Sequence, residues 1–370
     1  MKITGVTAYP LTQSLATAQT TSQQSYRKVS ICLVRIDTDE GIYGVGESLA
    51  RFGAAGYAKI IEVLLAPIII GKNPLQIKAI WDALRKTLNG RSGGILFEAI
   101  AAIDIALWDL YGKALQQPVY ALLGGKIHEK IPAYASSIMV GTNEEEQADR
   151  ILSLGFNSIK LKISADVQKE IARVKRLRRH VGPDIALMVD VNYAFNEQQA
   201  LYFAQAVHED NLLWFEEPID PDNREGYLRL SRRSPVPLAA GESEFTVRGC
   251  TDLLSSGALS YVQPDVTRFG GITESHCLAI VADAFHIQFA PHVGFSGAIC
   301  IAASLHLAAA APNLSCLECM VTPSVFREKL VCEPVGLPTQ IVNGTLAIPE
   351  SPGLGVEVDW DYLKKLLVCE

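Results

Sequence analysis

The sequence predicts an α/β protein, a closed barrel of eight strands preceded by a smaller α+β unit. Three observations carry this. The first is an apolar run ending in a carboxylate, Leu187-Met188-Val189-Asp190-Val191-Asn192. It is echoed by Leu213-Trp214-Phe215-Glu216-Glu217-Pro218 and by Pro237-Leu238-Ala239-Ala240-Gly241-Glu242. Asp190 to Glu216 is 26 residues, and Glu216 to Glu242 is 26 again. A strand, a helical connection and a parallel return strand need a stretch of this order. The second is that strand-like runs begin near Ile131, Ser158, Ala186, Leu212, Pro237, Tyr261, Gln288 and Ser315, spaced 24 to 28 residues apart. Helical periodicity fills several of the intervals, so the pairing is parallel, and eight units close a barrel. The third is size. The 370 residues, 49% of them apolar, exceed one ordinary domain and supply a large core.

Composition excludes several classes. A net charge of −7 speaks against a nucleic-acid partner, which would favour a basic face. No apolar run reaches the length of a membrane span. Met1 to Val6 alternates like a strand and lacks the apolar stretch of a signal peptide, so no export leader is expected. The eight cysteines are scattered singly apart from Cys316 and Cys319. That pair lies in a run that reads as a buried strand, and no second pair completes a zinc site. A reducing cytoplasm is the expected location.

In chain order, residues 1–125 read as an α+β unit. Its strands are Ile3 to Tyr9, Val29 to Ile36 and Gly44 to Glu47, with a long polar loop from Gln13 to Ser30 between the first two. Loops of this length in a compact domain are usually functional or disordered. Helices are predicted over Ala58 to Leu65, Ile77 to Leu88 and Leu96 to Leu115, the last with Asp104 and Asp109 on its polar side. Residues 126–320 form the barrel. Its predicted helices include Asp166 to His180, Glu197 to Val207, Gly270 to Ala284 and the wholly apolar Gly297 to Ala311. Residues 321–370 form a Pro- and Gly-rich tail with a short helix from Tyr362 to Val368, expected to return to the first unit.

Chemistry in such barrels sits at the carboxyl ends of the strands. Those ends carry Lys160 and Lys162, Asp190 and Asn192, Glu216, Glu242, Asp265, His292 and Glu318. Taken singly, each acid is an ordinary strand-end residue. Three in register would repel one another unless a cation lay between them, and oxygen ligands alone point to a hard cation, Mg²⁺ first. As strand-end groups they are expected to serve the site and not the core. Lys160 and Lys162 are two apart on a strand and so point the same way, inward. Beside Lys160 and a metal, Lys162 would lose its proton more readily and become a usable base. Asp265, from the neighbouring strand, is placed to hold one ring nitrogen of His292.

The set Lys160-Leu161-Lys162, Asp190, Glu216-Glu217-Pro218, Gly241-Glu242, Gln263-Pro264-Asp265 and Pro291-His292 resembles the enolase superfamily, mandelate racemase subgroup. The resemblance runs through nearly the whole chain, including Ala101-Ala102-Ile103-Asp104 and Leu123-Gly124-Gly125. It implies a modified TIM barrel, (β/α)₇β, under an N-terminal α+β capping domain, with substrate bound between them. It further implies that Asp190, Glu216 and Glu242 hold one Mg²⁺. Lys162 would be one acid/base, tuned by Lys160, and the Asp265–His292 dyad the other. Glu318 is similar to an eighth-strand Glu that binds a substrate carboxylate oxygen.

Removing a proton alpha to a carboxylate builds a second negative charge on that group, which a divalent cation offsets; a protonated Glu318 or a lysine can stabilise the other oxygen. Expulsion of a β-hydroxyl with a proton from His292 would then make the protein an acid-sugar dehydratase, a hydro-lyase yielding a 2-keto-3-deoxy acid. Return of a proton to the opposite face would make it a racemase or epimerase. Cycloisomerases and dipeptide epimerases resemble the set too, but generally show a sixth-strand Lys where Asp265 stands here, and rank behind these two. A reading of another class is a non-catalytic relative that binds acid sugars. The hydroxyl- and amide-rich Gln13 to Ser30 suits a polyol, and Arg27, Lys28 and Arg51, with Asn192, are candidate substrate contacts. The expected partner is a small carboxylate, with neither nucleic acid nor membrane. A homo-oligomer of two to eight subunits is also expected.

Overall fold

The computed structural model of the chain describes residues 1–87 and 93–367. The predicted helix end at Leu88 and tail-helix end at Val368 lie outside them. The cap begins with a three-stranded antiparallel sheet, β1 (Ile3–Thr20), β2 (Ser25–Thr38) and β3 (Tyr43–Ser48), in that order. The expected polar loop is thus mostly strand. Gln13 pairs with Val29, Ser14 with Lys28, and, after a register shift, Gln19 with Tyr26 and Thr20 with Ser25. A two-stranded ribbon needs only backbone pairing, and polar, β-branched side chains suit one with water on both sides. Only Thr21 to Gln24 turn.

The cap sheet packs on the helix Gly94–Leu115. β3 lies so close that a Cβ on Gly46 would stand 1.9 Å from the Ala102 carbonyl oxygen, and one on Gly44 2.0 Å from that of Ala106. Because backbone cannot yield as a side-chain end does, Gly46→Ala is expected to destabilise the fold by at least about 1–3 kcal/mol, read as a lower Tm. Asp104 and Asp109 are not on a solvated face as expected; both are buried. Asp104 accepts from the Thr273 N–H and hydroxyl at 2.9 and 2.6 Å. Asp109 accepts from the backbone of Val45 and Leu354 and from Lys113, at 2.7–2.9 Å. Burial without such donors would be prohibitive, so these acids join the cap to the barrel and to the tail.

The barrel strands are β4 (Ile131–Ile138), β5 (Ser158–Lys162), β6 (Ala186–Asp190), β7 (Leu212–Glu216), β8 (Leu238–Ala240), β9 (Tyr261–Val262), β10 (Gln288–Phe289) and β11 (Leu317–Met320). All pair in parallel, consecutively from β4 to β10, and β11 returns beside β4. A Phe289–Leu314 bridge and the Ser315 N–H donating to the Phe289 carbonyl join β10 to the segment leading into β11. A helix of two turns or more follows each strand from β4 to β10, while β11 is followed only by the single turn Val325–Glu328, which gives the (β/α)₇β order. The helix Ala298–Ala310 is buried along its whole length, as its apolar sequence requires. The tail adds β12 (Thr345–Leu346) antiparallel to β4, then the helix Trp360–Leu366. Trp360 packs on Tyr9 and Tyr43 of the cap sheet, with ring centroids 5.6 and 5.9 Å away. Cys316 and Cys319 are buried around β11, without a disulfide. Among the described residues no helix is long and apolar enough to cross a membrane.

Candidate active site

Strand alternation determines what reaches the top of the barrel. Residues two apart share a face, so Lys160 and Lys162 point together, as do Trp214 and Glu216, and Gln263 and Asp265. Below, Tyr134, Met188, Trp214, Ala239 and Ala290 fill the interior, with the Tyr134 and Trp214 rings edge to face at 5.2 Å. Above this layer the polar groups converge, and one oxygen each from Asp190, Glu216 and Glu242 lies within 4.8 Å of the others. All three side chains are buried.

The protein's own cations thread between them. Lys160 is fully enclosed, with Nζ 2.6 Å from Glu216 Oε1, 3.1 Å from Glu318 Oε1 and 3.7 Å from Asp190 Oδ2. Burial lowers its basicity, but Glu216 and Glu318 more than restore it, so Lys160 is held well above the ordinary lysine range. Lys162 donates to Asp190 and, at 3.2 Å, to Asn192 Oδ1. Burial pulls its pKa down, yet Asp190 outweighs burial and the net direction among the protein's own groups is upward; the expected fall was for a lysine beside a bound metal. Positive charge placed on Asp190 would oppose that direction. Glu216 is pushed up to about 7 by burial, against the pull of Lys160.

His292 Nδ1 lies 2.8 Å from Asp265 Oδ2, and the other oxygen of Asp265 accepts from the Thr267 N–H and hydroxyl at 2.8 and 2.5 Å. His292 Nε2 is 3.0 Å from Glu242 Oε2, an ion-pair contact without hydrogen-bond alignment, and 3.6 Å from Glu318 Oε2. Burial disfavours the imidazolium, but Glu242 and Glu318 favour it more, so His292 is raised well above its ordinary value. A protonated Glu318 was one of the two groups, with a lysine, expected to stabilise a substrate oxygen. Instead its Oε2 accepts from the Val293 and Gly294 N–H groups at 2.7 and 2.8 Å, and Lys160 and His292 overcome burial to hold it far down, as a carboxylate.

The cap closes this ring from above. The cleft measures about 770 Å³ including its open mouth, and Lys162, Asn192, Glu242, His292, Glu318 and Arg51 all line it. Thr21, Gln23, Gln24 and Tyr26 of the β1–β2 ribbon form its roof. The ribbon tip is tied to the barrel: the Ser22 hydroxyl donates to the Val191 carbonyl at 2.5 Å and the Gln23 amide to that of Asn192 at 2.9 Å. Asn192 and Tyr193 are both left-handed, with φ 44° and 53°, a strained pair that begins two residues after Asp190. Arg51 reaches to 3.5 Å from Glu242 Oε1. Arg27 and Lys28 are not brought to the site; they are exposed on the ribbon and line no part of the cleft.

Some site residues escaped the sequence reading. Trp214 Nε1 and Gln263 Nε2 donate to Glu216 Oε2 at 2.9 and 2.8 Å. Their signal was present, since Trp214 is two residues before Glu216 on β7 and Gln263, just beyond β9, is two residues before Asp265. Tyr26, Met139, Phe295 and Met320 give the cleft an apolar wall that no motif announced. As ligands for a metal, Asp190, Glu216 and Glu242 offer only oxygen. Glu242 Oε2 is held only by the His292 contact, and the three converging carboxylates fit a hard cation.

Comparison with known proteins agrees with this architecture. Residues 3–124 match the mandelate racemase / muconate lactonizing enzyme N-terminal domain, and residues 143–362 the enolase C-terminal domain-like family. The chain is 32% identical to the D-galactarolactone cycloisomerase of Agrobacterium fabrum over 98% of each chain. It is also 32% identical to a D-galactonate dehydratase of Xanthomonas oryzae over 90% of each. The crystal structure of a racemase from Streptomyces coelicolor with bound magnesium superposes with a TM-score of 0.91 at 30% identity, covering 99% of this chain and 100% of that one. With both domains matched in order along nearly its full length, the chain belongs to the enolase superfamily, in the mandelate racemase subgroup.

Proposed function

We propose that the protein dehydrates an acid sugar, removing the proton alpha to its carboxylate and expelling a β-hydroxyl to leave a 2-keto-3-deoxy acid. The observation that carries this is the placement of Lys162 and His292 in one cleft on either side of the three carboxylates. Lys162 stands beside Asp190, and His292 beside Glu242. Asp190, Glu216 and Glu242 would hold Mg²⁺, which when bound offsets the second negative charge that builds on the substrate carboxylate. Lys162 takes the α-proton. His292, oriented by Asp265, gives its proton to the departing hydroxyl, so the α-C–H and β-C–O bonds break and water leaves. The resulting enol tautomerises to the keto acid. Lys160 supplies fixed positive charge beneath the site, and Asn192 steers the Lys162 side chain. The ribbon roof, with its Thr and Gln side chains, offers donors and acceptors to the hydroxyls of a polyol. A dehydratase and an acid-sugar cycloisomerase among the relatives support a sugar acid as substrate.

Racemisation is the second reading, because two bases flanking one site can also pass a proton from face to face. Incubation with a library of mono- and diacid sugars separates the two. Keto-acid release that stops with EDTA is the expected result; α-proton exchange with inversion and no keto acid would favour the racemase. Full turnover after metal removal would sink both.

Arg51 is the cap residue that faces substrate with charge. Arg51→Ala is expected to raise KM about tenfold or more, since a hydrogen bond to a charged group is worth about 1.5–3 kcal/mol. It should leave α-proton exchange on a poor substrate in place. An unchanged substrate profile would show that Arg51 only accompanies Glu242.

A further inference from the structure

We propose that Arg268 is a positioning residue that holds Glu242 in place and makes the cation affinity of the site depend on the cap. This rests on the reading of Asp190, Glu216 and Glu242 as cation ligands. Asp190 and Glu216 end paired strands and are in register with each other. Glu242 stands two residues beyond the end of β8, where the ladder no longer fixes it. Arg268 supplies the missing restraint, its Nη1 donating to the Glu242 carbonyl oxygen at 2.6 Å.

The same guanidinium reaches the cap. Its Nε donates at 2.8 Å to Glu98 Oε1 on the helix Gly94–Leu115, and the other oxygen of Glu98 accepts from the Tyr57 hydroxyl on the helix Ala54–Ile60. Its Cζ lies 5.3 Å from the centre of the Phe245 ring, in the loop that follows Glu242. The Arg268 N–H also donates to the Asp265 carbonyl at 2.9 Å, so the loop that presents this arginine is the one that carries the partner of His292. One side chain thus joins two cap helices to two loops of the site. With side chains 11% and 8% exposed, Arg268 and Glu98 are not a screened surface pair. The task suits arginine, whose planar fork directs two donors at fixed angles, where an ammonium would direct neither. Neither residue lines the cleft, so both act through Glu242. By reciprocity, a cation that steadies Glu242 also tightens the docking of the cap.

The test is calorimetric titration of Mg²⁺ into the full-length protein, at a temperature where circular dichroism shows every variant folded. Groups that orient metal ligands typically contribute about 10- to 100-fold to affinity, and a loss of that size is expected for Arg268→Ala. Arg268→Lys should fall between it and the parent. Glu98→Gln should also weaken Mg²⁺ binding, although it lies in the cap and leaves every ligand intact. The Arg268→Ala/Glu98→Gln double variant should bind no more weakly than Arg268→Ala alone, because the two act as one unit. If Arg268→Ala does not fold, the lysine and glutamine variants carry the same comparison. Variants with a lower Tm but the parental Mg²⁺ affinity would show a merely structural clamp and overturn the proposal. A parent protein that binds no Mg²⁺ would overturn the triad reading and this proposal together, a result the parent titration alone distinguishes.

Discussion

Lys162→Ala is expected to lose α-proton exchange and water release together, lowering kcat by about 10²–10⁴, the usual contribution of a positioned acid or base. No neighbour can replace it. Lys160 is fully buried beneath it, committed to Glu216 and Glu318, and does not line the cleft. His292→Asn should behave differently. It puts a neutral side chain of similar shape in place of the imidazole and removes the proton that the hydroxyl needs to leave as water. That variant should still wash deuterium from D₂O into the α-position, read by proton NMR, while releasing no keto acid. An acid sugar of the opposite configuration presents its α-hydrogen to His292, and the two behaviours should then exchange. Full dehydration by both variants would refute the assignment, because among the described strand-end residues no other acid/base is left to replace them.

Glu216→Gln should remove both Mg²⁺ binding and activity, and it should cost stability as well. The carboxylate accepts on both oxygens, from Lys160 on one and from Trp214 and Gln263 on the other. An amide has one accepting oxygen, and its NH₂ must then confront a donor. A buried donor left without its partner costs about 1–3 kcal/mol, so Tm should fall while the barrel remains folded. The expectation that this acid serves the site and not the core is therefore revised. Glu216 is also the cap of the buried layer formed by Trp214 and Tyr134. Calorimetric titration, a thermal melt and the keto-acid assay read the three effects. Parental Mg²⁺ affinity in this variant would remove Glu216 from the ligand set.

Much of the barrel and its site could be read directly. Asp190, Glu216 and Glu242 follow apolar runs at equal spacing; Asp190 and Glu216 are in register, whereas Glu216 pairs with Ala239, so Glu242 reaches the group from three residues further along. Lys160, Lys162, Asp265 and His292 lay on the same strand ends and meet in the same ring. The cap was less legible. Gln13 to Ser30 lacks the apolar alternation of a half-buried strand, so its backbone pairing left no trace in the pattern. Arg27 and Lys28 were singled out for their charge, but nothing local reveals which way a twisted ribbon turns its side chains. Asp104 and Asp109 looked solvated because polar residues on a helix normally are. Their partners, Thr273 and Leu354, arrive from elements far along the chain.

The division has a physical origin. Strand order, barrel closure and the identity of the strand-end acids depend on the two-residue alternation of a strand and on the length of a strand–helix unit. Both are local, so consecutive residues record them. The protonation balance of Lys162, the ionised state of Glu318 and the Glu98–Arg268 link depend on which charges packing brings within a few ångströms. Arg268 and Glu98 are 170 residues apart, and no periodicity couples them. Only the docking of the cap on the barrel decides that they meet, and with that docking the environment of Glu242.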